Sequence, residues 1–246
     1  MPIKQAKVIT VTSVKGGTGK STVALSLAGI LSNKKLKTII LDMDLYSGVI
    51  AASLNLKINK DIYNLINDYM NHGLKELNEY IIKYNDYIDV LAAPKDPRQV
   101  GKISSGYIDI LIKKLKYKYD IILIDTNHII DNINLVTFDN SDNIIYVITS
   151  DLMDLKNMKT MLSIYKDMNL TKYDIILNDA LSKDHISSYE ITAFLEKEIN
   201  YILPANSYIK NMRKIQMAGQ IITLEKNYQK EKSTITLTKL IDKILK

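Results

Sequence analysis

Cysteine is absent from the 246 residues. That excludes disulfides, thiolate zinc sites, iron–sulfur clusters and cysteine nucleophiles. Arginine is nearly absent: Arg98 and Arg213 are the only examples. The net charge of +6 therefore rests on lysine. A stripe built to hold nucleic-acid phosphates more often mixes in arginine. Lysine, isoleucine, asparagine and tyrosine are all abundant, which fits a compositional drift of the whole chain, so DNA is not an expected partner. No stretch reaches about 18 uncharged apolar residues, the length that would span a membrane. A signal-peptide pattern is also missing, because the N-terminus passes almost directly into a strand. The cytoplasm is the expected compartment. Internal repeats, low-complexity tracts and Pro/Gly/Ser-rich linkers are lacking too, so one domain over residues 1–246 is expected.

What is present is an alternation. Hydrophobic residues make up 46% and charged residues 24%, ordinary for a chain that buries a full core. Apolar runs of strand length lie at 7–13, 38–42, 87–92, 120–125, 143–149 and 173–178, with a shorter one at 200–203. Most are continuous rather than alternating, so both faces are covered. Helical patterns fall at 20–32, 61–71, 74–84, 104–117, 154–168, 187–198 and 232–245. Strand–helix–strand repetition predicts an α/β fold, a mainly parallel β-sheet flanked by helices on both faces.

One stretch carries chemistry: VTSVKGGTGKSTVALSLAG, residues 11–29. Lys15–Gly16–Gly17–Thr18–Gly19–Lys20–Ser21 fits G-x-x-x-x-G-K-[ST] except that Val14 stands where the strict pattern has glycine. Glycines let the backbone curl so that successive N–H groups point at phosphate oxygens. The helix beginning near Lys20 aims its positive end at the same anion. Lys20 would reach the β- and γ-phosphates, and the Ser21 hydroxyl would ligate Mg²⁺. A strand before and a helix after are the context this motif needs.

Lys15 is the departure that places the loop. K-G-G-T-G-K-[ST] resembles the deviant Walker A motif of the ParA/MinD family of P-loop NTPases, a SIMIBI/MinD-like fold. The resemblance implies an ATP/ADP site built from Gly16, Gly17, Thr18, Gly19, Lys20, Ser21 and Thr22. It also implies that Lys15 acts across the interface of an ATP-bound homodimer, as an arginine finger does. TIILDMDLYSG, residues 38–48, resembles the family's D-x-D segment: Asp42 near the metal, Asp44 positioning the attacking water. YDIILIDTNHI, residues 119–129, resembles a Walker B strand delivering Asp125 to the sheet edge, where it would help hold Mg²⁺. The family usually continues with a proline-containing turn; here Thr126–Asn127–His128 follows. His128 would be placed to sense the γ-phosphate, although a lone loop histidine is more often incidental. Asn178 matches the family asparagine that hydrogen-bonds adenine, and Pro204 and Asn206 match the segment that closes over the base.

The missing cysteines set aside the nitrogenase-type, iron–sulfur-carrier and tail-anchored-targeting branches. Asp42–Met43–Asp44–Leu45–Tyr46–Ser47–Gly48 lacks the P-Q-G-N of partition proteins, and the tail lacks the tyrosine cluster of bacterial tyrosine kinases. DVLAAPKDPRQV (89–100) and SDLMDLKNMKTMLSIYKDM (150–168) resemble the CpaE/TadZ group, which positions pilus secretion machinery. The expected function is Mg-dependent ATP hydrolysis, slow without a partner protein, in which dimerisation controls where that partner sits. An ATP-glued dimer that scarcely hydrolyses, and a division, flagellar or partition ATPase, are the alternatives. Leu237, Leu240, Ile241, Ile244 and Leu245 share one face of the last helix, opposite Lys239, Lys243 and Lys246. Such a helix could contact a membrane or cell pole peripherally. Its purely aliphatic face favours the other reading, packing on the sheet with the lysines in water.

Overall fold

The apolar runs become strands because their backbone groups must pair wherever their side chains are buried on both faces. In the computed structural model the described residues are 5–73, 76–179, 186–204 and 207–246, without the side chains of 207–210 and 213. The chain runs β1 (Lys7–Thr12), α1 (Lys20–Asn33), β2 (Thr38–Met43), α2 (Ile50–Ser53) and α3 (Ile62–His72). It continues through β3 (Ile82–Lys83), β4 (Ile88–Leu91), α4 (Ser105–Leu115), β5 (Ile121–Thr126), α5 (Asn132–Asp139) and β6 (Asn143–Ile148). It ends with α6 (Leu152–Asp167), β7 (Tyr173–Asn178), α7 (Ser188–Leu195), β8 (Tyr201–Leu203), α8 (Ser207–Met217) and α9 (Lys232–Leu245). The strands form an eight-stranded sheet in the order β3-β4-β2-β5-β1-β6-β7-β8. All described pairings are parallel except β3 with β4.

Successive strand residues divide between the faces, as pleating requires. Ile9, Val11 and Ile40 pack with α1 and α9, while Val8, Ile39 and Leu41 pack with α3 and α4. A third cluster joins β6 and β7 to α6 and α7. Helix α1 is buried almost all round, which explains why its sequence is apolar on every side.

One expectation changes, and one choice between two readings is decided. The helix expected over 74–84 is instead a single 3₁₀ turn at Leu77–Glu79 followed by β3; residues 74 and 75 lie outside the described residues. Asn85 accepts hydrogen bonds from the N–H groups of Tyr87 and Ile88, turning the chain so that Ile82 and Lys83 pair antiparallel with β4. Sheet pairing, with Leu77 and Tyr80 buried, overrides a helical spacing of apolar residues. The choice concerns α9, which packs on the sheet as its aliphatic face favours. Leu237, Leu240, Ile241 and Ile244 are buried against α1 and the sheet, and Leu245 is packed against the same core. The apolar face of α9 is therefore already occupied. Lys243 pairs with Asp174 at 2.6 Å. No helix of the described residues is long and apolar enough to cross a membrane.

Candidate functional site

The site lies where the C-terminal ends of β1, β2 and β5 meet the start of α1. Gly17 and Gly19 have φ of +80° and +91°, a left-handed backbone that favours glycine and curls the loop. Ser13 Oγ donates to the Lys15 carbonyl at 2.7 Å, and Asn157 Nδ2 to the Val14 carbonyl at 3.3 Å, fixing the loop's first half. Asn178 Nδ2 donates to the Thr18 carbonyl at 2.9 Å and fixes its second half. This residue, expected at adenine, thus braces the phosphate loop. Thr18 is buried, and among the described residues its hydroxyl has no hydrogen-bond partner.

Strand register brings the carboxylates together. Asp42 of β2 is the direct neighbour of Asp125 of β5. Both are buried, at 2% and 0% exposure. Asp42 Oδ2 accepts the Ile50 N–H at 3.0 Å, while among the described residues Asp42 Oδ1 and both Asp125 oxygens lack a partner of good geometry. Burial raises Asp125 to about 7, the Ser21 hydroxyl and Lys20 ammonium beside it offsetting part of the rise and Asp44 adding to it. Burial, then the Asp125 charge, raises Asp42 well above the ordinary carboxylate range. Two adjoining buried carboxylates of this kind fit a divalent cation, which removes the cost of charging them. No group of three or more His, Cys, Asp or Glu able to hold a metal occurs among the described residues. Mg²⁺ takes one or two carboxylates and completes its shell with water and phosphate.

The remaining residues fall around this centre. Lys20 is nearly buried, and its Nζ lies 4.0 Å from Asp44 Oδ2. Gln216 Nε2 lies 3.5 Å from Thr22 Oγ1. Pro204 follows β8, and Asn206 lies outside the described residues. Lys15 turns to its own chain: its Nζ is 2.8 Å from Asp151 Oδ1. Asp151 caps α6 through the N–H groups of Met153 and Asp154, and the Lys15 ammonium holds its carboxyl below the ordinary range.

Sequence reasoning missed the part played by four residues. Gly48 lies so close to Asp42 that a Cβ there would be 2.8 Å from Asp42 Oδ2 and 2.3 Å from the Ala93 methyl. Asp151 was not visible as a partner of Lys15. Asn127 and Asn134, both buried, brace the turn after Asp125. Only Gly48 carried a signal, as a glycine ending the D-x-D segment.

A sequence model of the ParA family, described as NUBPL iron-transfer P-loop NTPases, matches residues 4–245. An uncharacterised ATP-binding protein of Methanocaldococcus jannaschii is 32% identical over 114 residues, 46% of this chain and 41% of that protein. The chain spans about half the length, or less, of the first curated relatives it matches. A ParA family ATPase from Chlorobium tepidum superposes with a TM-score of 0.83 at 23% identity, covering 98% of this chain and 99% of the other. The septum site-determining protein MinD of Pyrococcus horikoshii, complexed with Mg-ADP, gives 0.78 at 21% identity, covering 97% and 96%.

Proposed function

The chain belongs to the ParA/MinD family of P-loop NTPases, and from that premise we propose that it binds Mg-ATP on residues 15–22, hydrolyses it slowly, and dimerises while ATP is bound. The observation that carries this reading is the pair of buried, under-partnered carboxylates, Asp42 and Asp125, beside Lys20 and a loop of left-handed glycines. Phosphate oxygens would accept from the loop amides and from Lys20. Ser21 and Asp125, with Asp42 beside them, would hold Mg²⁺. When bound, that ion neutralises charge on the β- and γ-phosphate oxygens. Asp44, in a loose 4.0 Å pair with Lys20, would orient the attacking water. The Lys15–Asp151 pair is half exposed, so exchanging the aspartate for a partner subunit's phosphate costs little.

The cellular role follows from dimerisation as a switch: the ATP-bound pair positions a partner protein, in the manner of division or partition ATPases. The segments at 89–100 and 150–168 support the narrower assignment to pilus or secretion machinery. Iron transfer, named in the family's description, is not adopted, because a thiolate-held iron site needs cysteines this chain lacks.

Calorimetry with Mg-ATP tests the core of the reading. Wild type is expected to release heat and Lys20→Ala to release none; a silent wild type overturns the proposal. Sizing should give a larger species with ATP than with ADP, lost in Lys15→Ala. Phosphate release should fall at least tenfold in Asp44→Ala. Equal, negligible rates in wild type and variant would instead support an ATP-glued dimer.

A further inference from the structure

Side chains hold the phosphate loop from outside by donating to its carbonyls. Ser13 Oγ reaches the Lys15 carbonyl at 2.7 Å, Asn157 Nδ2 the Val14 carbonyl at 3.3 Å and Asn178 Nδ2 the Thr18 carbonyl at 2.9 Å. The three differ in quality. Ser13 acts from two residues away in the same loop. Asn157 is exposed, and its bond is long. Asn178 is buried at the end of β7, where it pairs in register with Leu203 of β8, while Leu177 before it pairs with Ile148 of β6. Its amide therefore stands on a strand held on both sides, 160 residues along the chain from Thr18.

Peptide geometry gives this bond a second effect. All described peptide bonds are trans, so the N–H of each residue points opposite to the carbonyl before it. Fixing the Thr18 carbonyl on Asn178 turns the Gly19 N–H away from Asn178. Gly19 is the N-cap of α1, with φ of +91°, and its own carbonyl accepts the Val23 N–H at 2.9 Å. The peptide unit before Gly19 is thus set by Asn178, and the unit after it by the helix. The Gly19 N–H is thereby lined up with the first N–H groups of α1, which have no acceptor within the helix. Such a run of amides is where an anion is held.

We propose that Asn178 is a positioning residue for the phosphate loop, not a reader of the base: by holding the Thr18 carbonyl it aims the Gly19 N–H at the bound anion, whatever group the polyphosphate carries. This role rests on the ATP-binding reading above. It acts on the loop alone, so it is the same for a nucleotide and for a bare polyphosphate.

The test compares Mg-tripolyphosphate, which has neither base nor ribose, with a non-hydrolysable Mg-ATP analogue. Both are titrated calorimetrically into wild type, Asn178→Ala and Asn178→Leu; leucine is close to asparagine in size and lacks the donor. Each variant should weaken both ligands by the same factor, about five- to tenfold, for the loss of one hydrogen bond that orders the loop. Weakening of the ATP analogue alone would identify a base contact and overturn the proposal. So would unchanged affinity for both ligands, or a wild type that binds the analogue but not tripolyphosphate. A wild type that binds neither removes the ATP site itself. Thermal scans show whether the variants fold, and a measurement on wild type stands whatever they do. The Gly19 amide proton resonance should move downfield when Mg-tripolyphosphate is added, because it gains a charged acceptor. A Gly19 resonance that stays in place while the ligand binds overturns the proposal and leaves the ATP site standing.

Discussion

Asp154 shows how a residue can be costly where no ligand explains it. It is fully buried and accepts from the Thr149 N–H at 2.7 Å and from Thr149 Oγ1 at 3.0 Å. Burial still raises it to about 6, from an ordinary 3.8. The folded protein therefore holds this proton more tightly than the unfolded chain. Stability is lost as pH rises from about 4 to 6, by about 3 kcal/mol for a shift of roughly two units. Asp154→Asn keeps an acceptor for the Thr149 N–H and removes the charge. Urea unfolding should show the variant gaining on wild type between pH 4.5 and pH 7.5; a pH-independent difference would contradict the assignment. At this scale the sequence is legible where chemistry is written in adjacent residues. The glycine loop, Asp42, Asp44 and Asp125 all announce themselves. Their juxtaposition does not: that Asp42 and Asp125 are neighbours follows from pairing β2 with β5, strands 83 residues apart counting from Asp42 to Asp125.

Elements were legible when burial and periodicity agreed. Helix α1 and the central strands are apolar enough to admit no other reading. The segment 74–84 misled because its apolar spacing is helical while its end is claimed by a strand edge, and the Asn85 turn that decides the matter is a local signal of the opposite sense. Gly29 is the reverse case: its reason for being glycine lies outside its helix. A Cβ there would sit 2.2 Å from Thr223 Oγ1 and 2.7 Å from Ile221 Cγ2. Thr223 Oγ1 cannot simply retreat, because it donates to the Ser26 carbonyl at 2.7 Å. Gly29→Ala gains about 1 kcal/mol of helix propensity. Overpacking costs about 1–3 kcal/mol, and more where backbone must move. The clash should win, giving a net loss near 1–2 kcal/mol in urea unfolding. Adding Thr223→Ala should return part of it, and a Gly29→Ala protein as stable as wild type would show that the 221–224 turn yields freely.

For the whole molecule, the two ends of the described chain meet. Lys7 Nζ of β1 donates to the Ile244 carbonyl of α9, Lys34 after α1 pairs with Asp242 at 2.6 Å, and Lys243 pairs with Asp174 of β7 at 2.6 Å. Leu240 and Ile241 are wholly buried in the cluster that contains Ile9, Val11 and the apolar side of α1. Removing α9 from that cluster would expose the underside of the strand that carries the phosphate loop, so the last helix and the nucleotide site belong to one cooperative body. We therefore propose that residues 1–246 fold as a single domain. Leu240→Ala should lower stability by about 2–5 kcal/mol, the cost of a large-to-small change in a packed core. The loss should appear as a shift of the entire transition rather than as an early shoulder. With 16 tyrosines and no tryptophan, tyrosine fluorescence and far-ultraviolet circular dichroism are the two probes to compare. Coincident curves in wild type and variant support one unit. A first transition confined to one probe would mean that α9 and its neighbours melt apart from the loop, and the coupling between chain end and nucleotide site would fall with it.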